Sequence, residues 1–304
     1  MQRDIRQSPP FIEAQQLYQD IWPAHSQRIV EVQQLNTSPD GRNALFVGTS
    51  GNKGGQSTAQ RIFHIDLQSS YLKALTPNSC PEKRPVYSPC GKHIAFLSDR
   101  DGGANFQLSL FNVSNHLISK PPAVAGWVEE LSWSPDGGSI LLTVAGHGAD
   151  NGSGQGAVPS QQYSEQHPDW MPDVSAGDEG YRWRHLWVYE LASKKLHQVP
   201  TQGINIWEAV WCGNRGIAAI TSDQPGEEAW YSATLQHIHP LTGITHSLYQ
   251  PTDQIAYLCA SPSGQTLALV SAISSDRGVV AGDLLAIDIN TQSTFHEIFA
   301  KVCS

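Results

Sequence analysis

Positive charge is scarce in this chain of 304 residues: 19 Lys plus Arg stand against 28 Asp plus Glu, for a formal net charge of −9. A nucleic-acid groove needs a basic face, so that class of partner is set aside. Nowhere do about eighteen apolar residues run together, and the opening MQRDIRQSPP has no apolar stretch of a secretion signal. A soluble, cytoplasmic protein with no membrane partner is the expectation. Five cysteines, at 80, 90, 212, 259 and 303, are odd in number, scattered and without a CxxC pair. That argues against a disulfide framework and against a structural zinc site. Asn112-Val113-Ser114 and Asn151-Gly152-Ser153 match the glycosylation sequon, which carries no weight without a secretion signal. Sustained helical periodicity is missing beyond residue 25.

What is present is a repeat. Ser38-Pro39-Asp40-Gly41 returns as Ser88-Pro89-Cys90-Gly91, Ser134-Pro135-Asp136-Gly137 and Ser261-Pro262-Ser263-Gly264, with a degenerate copy at Cys212-Gly213-Asn214-Arg215. Each copy lies between two apolar runs, as in Leu131-Ser132-Trp133 before and Ile140-Leu141-Leu142 after. A second signal follows in step, an apolar strand closing on a polar residue: Asp66, Asn112, Glu190, His239 and Asp288, at 28, 24, 56, 27 and 27 residues from the first. Four of these offsets agree, so the modules are real, and the third holds an insertion.

Within the second module four short strands are expected: Arg84–Tyr87, His93–Ser98, Gln107–Val113 and a weak Pro122–Ala125. Ser-Pro-Asp-Gly suits a tight turn, because Pro presets φ, Asp bonds the local backbone and Gly tolerates positive φ. Four strands per repeat in a nearly helix-free chain predict an all-β fold, a β-propeller of five four-stranded blades of the TolB/WD40-like repeat type, or an incomplete ring of about seven. The blades are placed near 28–80, 81–126, 127–203 with the insertion at 146–182, 204–252 and 253–304. Residues 1–27 form an N-terminal extension with one short helix over 11–20. Trp133 and Trp211 fall at equivalent first-strand positions, which points to packing between blades.

The repeats, with the stretch from Tyr87 through Ser88-Pro89-Cys90-Gly91 to Ser98-Asp99-Arg100, resemble the N-terminal propeller of the prolyl oligopeptidase (S9) superfamily, most closely its dipeptidyl and acylaminoacyl peptidase branch. GHGADNGSGQGA (146–157), DWMPDVSAGDEGYRWRHLWVYEL (169–191) and NIWEAVWCGN (205–214) carry the same resemblance. It implies a propeller stacked on an α/β-hydrolase domain that holds a Ser-Asp-His triad. This chain departs from that pattern: five modules are counted against about seven, and Gly-x-Ser-x-Gly occurs nowhere in the 304 residues. Gly48-Thr49-Ser50 comes nearest and fails at Asn52. The hydrolase portion is read as missing, and no catalytic residue and no enzyme activity are assigned.

The third-module insertion joins the second strand of its blade to the third, so it overhangs the face from which the blade-to-blade crossings emerge. In a propeller of this family such an arm would gate substrates or dock the hydrolase. Its candidate residues are His147, Asp150, Trp170, Asp178, Glu179, Arg182 and Arg184. A solvated loop is the bland alternative, set against the apolar Trp170, Met171, Tyr181 and Trp183. His147, Asp150, Asp178 and Glu179 offer oxygen and imidazole donors but no dense ligand motif, so neither a metal nor a cofactor is expected. Glu129-Glu130 and Glu227-Glu228 invite a glycosidase reading, which fails because neighbours on a strand face opposite ways.

Three readings follow. The first is a non-catalytic propeller related to S9 serine peptidases, truncated or split, with a separately encoded α/β-hydrolase domain as partner and peptide substrates only in the parent architecture. The second is a stand-alone TolB-like scaffold for protein interaction. The third is a small-ligand enzyme with its site in the central channel. If blades are missing from a larger ring, the first and fifth modules would leave open flanks, and the chain would close as a tightened five-blade ring, associate with itself through those flanks or require a partner; Ile29, Val30, Val32, Leu45 and Phe46 stand on one side. On the other side stand Ile255, Tyr257, Leu258, Leu267, Leu269 and Leu284.

Overall fold

The computed structural model describes residues 4–21, 29–50, 60–76, 80–102, 105–147, 149, 183–214, 216–274, 281–291 and 294–297. A 3-10 turn over Ile5–Gln7 leads into α1 (Pro9–Ile21). Two prolines open this helix, where missing N–H groups cost nothing. Then come five four-stranded sheets, each antiparallel and each ordered as its strands follow in the chain. They comprise β1 (Ile29–Thr37), β2 (Asn43–Ser50), β3 (Gln60–Asp66) and β4 (Leu72–Ala74); then β5 (Glu82–Tyr87), β6 (His93–Ser98), β7 (Gln107–Asn112) and β8 (Ile118–Ser119). The third sheet is β9 (Trp127–Trp133), β10 (Ser139–Ala145), β11 (Arg184–Glu190) and β12 (Lys195–Gln198). The fourth is β13 (Asn205–Cys212), β14 (Gly216–Ser222), β15 (Thr234–Ile238) and β16 (Thr245–Tyr249), with a one-turn helix α2 (Glu227–Trp230) between its second and third strands. The fifth is β17 (Gln254–Ala260), β18 (Thr266–Ala272), β19 (Asp283–Asp288) and β20 (Thr294–Glu297). These are the five blades of a β-propeller. They fall into two compact units, one of residues 1–119 and one of residues 120–304.

The repeated tetrapeptide works as a turn whose serine does two jobs. The backbone N–H of Ser38, Ser88, Ser134 and Ser261 donates to the carbonyl five residues on at 2.8–2.9 Å. Each serine Oγ in turn accepts the N–H of that same residue at 2.9–3.0 Å. The closing glycine stands at φ between +68° and +72° in all four, a conformation that a side chain would strain. Where aspartate is present its Oδ1 takes the serine hydroxyl at 2.6 Å and the N–H two residues on. The degenerate copy makes a tighter hairpin in which Cys212 pairs with Gly216, and Asn214 Oδ1 accepts the N–H of Asp136 from the neighbouring blade.

β6, β10 and β14 are buried along nearly their whole length, and in β14 alternate residues pack on different blades. In β14, Ile217 and Ala219 meet Leu141, Leu186 and Val188 of the third blade, whereas Ala218 and Ile220 meet Ile255, Leu267 and Leu269 of the fifth. In the first unit, Leu45, Val47 and Ile62 close against Ile94, Phe96 and Phe111. This period of two is what a sheet covered on both sides requires. Trp211 does bridge blades, donating its Nε1–H to Ser132 O at 3.2 Å.

Three expectations need correction. The fourth strand of the second blade is Ile118–Ser119, not Pro122–Ala125; Pro121 and Pro122 lack the N–H a ladder needs. Glu227 and Glu228 sit on α2 instead of a strand. Of the side chains expected on open flanks, Leu45, Ile255, Leu258, Leu267 and Leu269 are buried between consecutive blades, and Phe46 stacks on Phe63. Both faces of such a strand are apolar, so the pattern alone does not say which neighbour each face meets. Val32 and Tyr257 remain exposed.

Candidate functional site

The insertion springs from one point on the third blade. Ala145, last in β10, and Arg184, first in β11, are register partners, and Gly146 N–H donates to Trp183 O at 3.1 Å. The chain therefore leaves and re-enters the sheet at the same place. Next to the exit, His147 stands edge-on to Trp127, with ring centroids 5.8 Å apart.

Arg184 locks this base. It is a charged residue only 1% exposed, and a buried guanidinium must find its counter-charge. Glu129 supplies it through two bonds, Nε to Oε2 at 2.8 Å and Nη2 to Oε1 at 3.1 Å. Glu129 reaches Arg184 because it is the extra residue of a bulge: Val128 pairs with Val144 and Glu130 with Thr143, leaving it out of the ladder and re-aimed. The guanidinium also lies 5.2 Å from the Trp207 ring, and the Arg184 N–H donates to Asn205 Oδ1 at 2.7 Å. Both residues belong to β13, so the base of the insertion is tied to the fourth blade as well.

The first unit holds an ion pair of the same kind. Glu82 at the start of β5 is fully buried and accepts from Arg100 Nη2 at 2.9 Å and from Thr76 Oγ1 at 2.6 Å. Arg100 also donates from Nε to Ser98 Oγ at 3.1 Å and lies over Phe96. The Asp99-Arg100-Asp101 stretch thus does more than shape a turn.

Bulges recur along the first strands of the blades. In β1, β5 and β17 two residues face one across the ladder, and the first of each pair, Gln34, Arg84 and Tyr257, has φ of 54–59°. Such a backbone is costly for a residue with a side chain. Side chains of the preceding blade hold two of these bulges in place. Gln34 Oε1 accepts the N–H of Arg84 at 2.6 Å. The Glu208 carboxylate accepts from Tyr257 N at 3.1 Å and Leu258 N at 2.8 Å.

Of the residues singled out in the sequence, the structure brings His147 and Arg184 to one place, the root of the insertion. Asp150, Trp170, Asp178, Glu179 and Arg182 lie outside the described residues. Among the described residues no three His, Cys, Asp or Glu converge as metal ligands. Glu129 is occupied by Arg184, which closes the glycosidase reading at Glu129-Glu130. Sequence reasoning missed Glu82, Glu129 and Glu208 as anchors. Glu208 is the one acid in NIWEAVWC, which is a visible signal; Glu82 in EKRPVY and Glu129 beside Glu130 carry none.

No family model matches the chain. Over 117 residues, 38% of its length, the chain is 32% identical to the uncharacterized peptidase YuxL of Bacillus subtilis. Over 112 residues, 37% of its length, it is 25% identical to dipeptidyl-peptidase 5 of Porphyromonas gingivalis. The matches span 18% and 16% of those two proteins, so the chain corresponds to a minor part of either. Among solved structures it is similar to an oligogalacturonate lyase of Vibrio parahaemolyticus, with TM-score 0.62, 11% identity and coverage of 92% of this chain and 69% of that one. The β-propeller domain of the Trilobed protease of Pyrococcus furiosus gives 0.58, 12%, 91% and 73% on the same measures. TolB of Acinetobacter baumannii gives 0.55, 15%, 89% and 55%. Identities this low show the fold alone. The resemblance read from the repeats stands: the sequence relatives are peptidases, and the fold is the propeller that such peptidases and TolB share.

Proposed function

We propose that this chain is a non-catalytic propeller that works with a serine hydrolase, its third-blade insertion serving as a docking or gating arm over peptide substrates. The single observation that carries this reading is the root of the insertion, where a buried, doubly bonded Arg184 and the Gly146–Trp183 hydrogen bond fix both ends of the segment at one point. The similarity to two peptidases supports the reading, and so does the absence of Gly-x-Ser-x-Gly from these 304 residues, which leaves the chemistry to a hydrolase domain. His147 and the sequence of the insertion, with Trp170, Asp178, Glu179 and Arg182, would provide the contacts.

The test uses immobilised chain, the soluble fraction of its own host and a fluorophosphonate probe that labels active serine hydrolases. A labelled hydrolase should be retained by the chain and lost when residues 150–181 are replaced by a short Gly-Ser turn. Labelling of the chain itself, or retention unchanged by the replacement, overturns the proposal.

A second reading, a scaffold for protein interaction, is favoured by Tyr257, which is 61% exposed on the first strand of its blade. Sedimentation of the purified chain separates the two. Self-association abolished by Tyr257→Ser supports the scaffold, and a monomer at all concentrations removes it.

A further inference from the structure

The first two blades meet at a crevice of about 460 Å³ that the peptidase reading does not use. Toward their first strands the blades close on a dry core, with Leu45, Val47 and Phe96 fully or nearly fully buried. Toward the outer strands they part, as sheets set radially must. There the apolar wall of Leu75, Ile94, Phe111 and Val113 continues outward and meets a margin of nitrogen-bearing side chains.

That margin consists of Arg61 and His64 of β3, Lys73 of β4, and His116 after β7. His64 and Lys73 are cross-strand partners, and so share one face. His116 lies flat on Phe111, with centroids 5.8 Å apart at 19°. Among the described residues, no Asp or Glu lines the crevice. Such a grouping stands out in a chain of net charge −9. Arg61 spends its Nη2 on Thr76 O at 2.8 Å, but its Nε and the Nδ1 of His64 are buried without a hydrogen-bond partner. A buried polar atom without a partner calls for an explanation, and these two belong to residues that line one crevice. Tyr87, at the inner end, stays a neutral phenol, since burial pushes its pKa up to about 12.

We propose that this crevice binds a small organic carboxylate with a branched or aromatic apolar body. The carboxylate pairs with the Arg61 guanidinium and with Lys73, while the body lies against Leu75, Ile94, Phe111 and Val113. The volume is that of an ordinary small-molecule site, which typically spans about 300–1,000 Å³. A bare inorganic anion satisfies the margin but leaves the apolar wall wet. A neutral apolar compound fills the wall and leaves the Arg61 and Lys73 charges unanswered. Only a molecule with both parts answers both features. Burial, with Lys73 opposite and only partly offset by Asp66, lowers the His64 pKa below its ordinary 6.5. The imidazole is therefore neutral at pH 7, and an arriving anion raises that pKa.

Calorimetric titration of the full chain tests this with four probes: N-acetyl-leucine, 4-phenylbutyrate, N-acetyl-leucinamide and sulfate. At least one of the two carboxylates should bind saturably, with the amide and sulfate at least about tenfold weaker. Lys73 is exposed, so Lys73→Gln should weaken carboxylate binding several-fold while leaving the unfolding midpoint unchanged. Ring resonances of His64 and His116 should shift on binding, and those of His237, on β15 of the other unit, should not. Failure of both carboxylates to bind, equal binding of the amide, equal binding of sulfate, or binding indifferent to Lys73→Gln would each overturn the proposal. None of these outcomes bears on the hydrolase-docking reading, which rests on the other unit.

Discussion

Removal of the Glu129 carboxylate should destabilise the second unit far more than a surface charge change does. Arg184 is 1% exposed and the Glu129 side chain 24%, so one partner is fully desolvated and the other mostly so. Breaking a buried pair by deleting one side costs about 3–5 kcal/mol, because the remaining charge stays buried. The partial exposure of Glu129 lets water reach it and reduces this to roughly 2–4 kcal/mol for Glu129→Gln. Arg184→Met also loses the contact with Trp207, worth about 1–2 kcal/mol when desolvated, but leaves only a carboxylate that can hydrate. Its cost should be about 2–3 kcal/mol. The double variant Arg184→Met/Glu129→Gln removes both charges and should cost well under the sum of the two singles, giving a coupling of roughly 2 kcal/mol. Tryptophan fluorescence during urea unfolding is the assay. Eight of the nine tryptophans lie beyond residue 120, so the signal comes mainly from the second unit, and Trp22→Phe in all variants removes the remaining contribution. Costs that add within about 0.5 kcal/mol, at unchanged m-values, would show that the pair does not lock the root of the insertion.

The Glu208 carboxylate holds two N–H groups of the bulge at Tyr257; Glu208→Ala should cost about 2–3 kcal/mol and speed amide exchange at Tyr257 and Leu258, and unchanged exchange would refute the clamp. Gly41 and Gly264 share a motif position and a positive φ, but a Cβ at Gly41 meets nothing within 4 Å, whereas one at Gly264 collides with the backbone of Cys212 and Gly213. Thermal unfolding followed by circular dichroism should therefore show Gly41→Ala costing about 1 kcal/mol and Gly264→Ala at least about twice that. The Ser134 hydroxyl, with the Gly138 N–H, holds the Asp136 carboxyl below its ordinary 3.8. Its folded pKa is depressed, so its contribution is complete above 3.8 and fades as pH falls through the lowered value. Asp136→Asn should thus be less stable than wild type at neutral pH, with the gap closing under acid; a gap constant from pH 7 down would contradict this. Cys90 takes the aspartate place in the second turn, where the Ser88 hydroxyl and the Lys92 N–H lower its thiol pKa, while burial raises that of Cys212. Mass-spectrometric mapping of iodoacetamide labelling at neutral pH should find Cys90 modified first.

The sequence by itself determined the blades. Ser-Pro-x-Gly forms its turn from atoms at most five residues apart, and alternation of apolar residues is a property of each strand alone. For that reason the starts of β1, β5, β9, β13 and β17 all fall close to where the repeat places them. Tertiary structure decided what each face and each charge meets. Leu45 and Leu269 read equally well as flank or interior, and the packing of consecutive blades chose interior. Arg184 and Glu129 are 55 residues apart, and Glu208 and Tyr257 are 49 apart. No local propensity brings such pairs together. Bulges did so, by rotating Glu129 out of its ladder and by holding Gln34, Arg84 and Tyr257 at a positive φ that none of these residue types announces. The crevice at Arg61 and His64 has the same origin. It exists because two sheets meet along their first strands and splay at their outer ones, and a relation between sheets is not written in either strand.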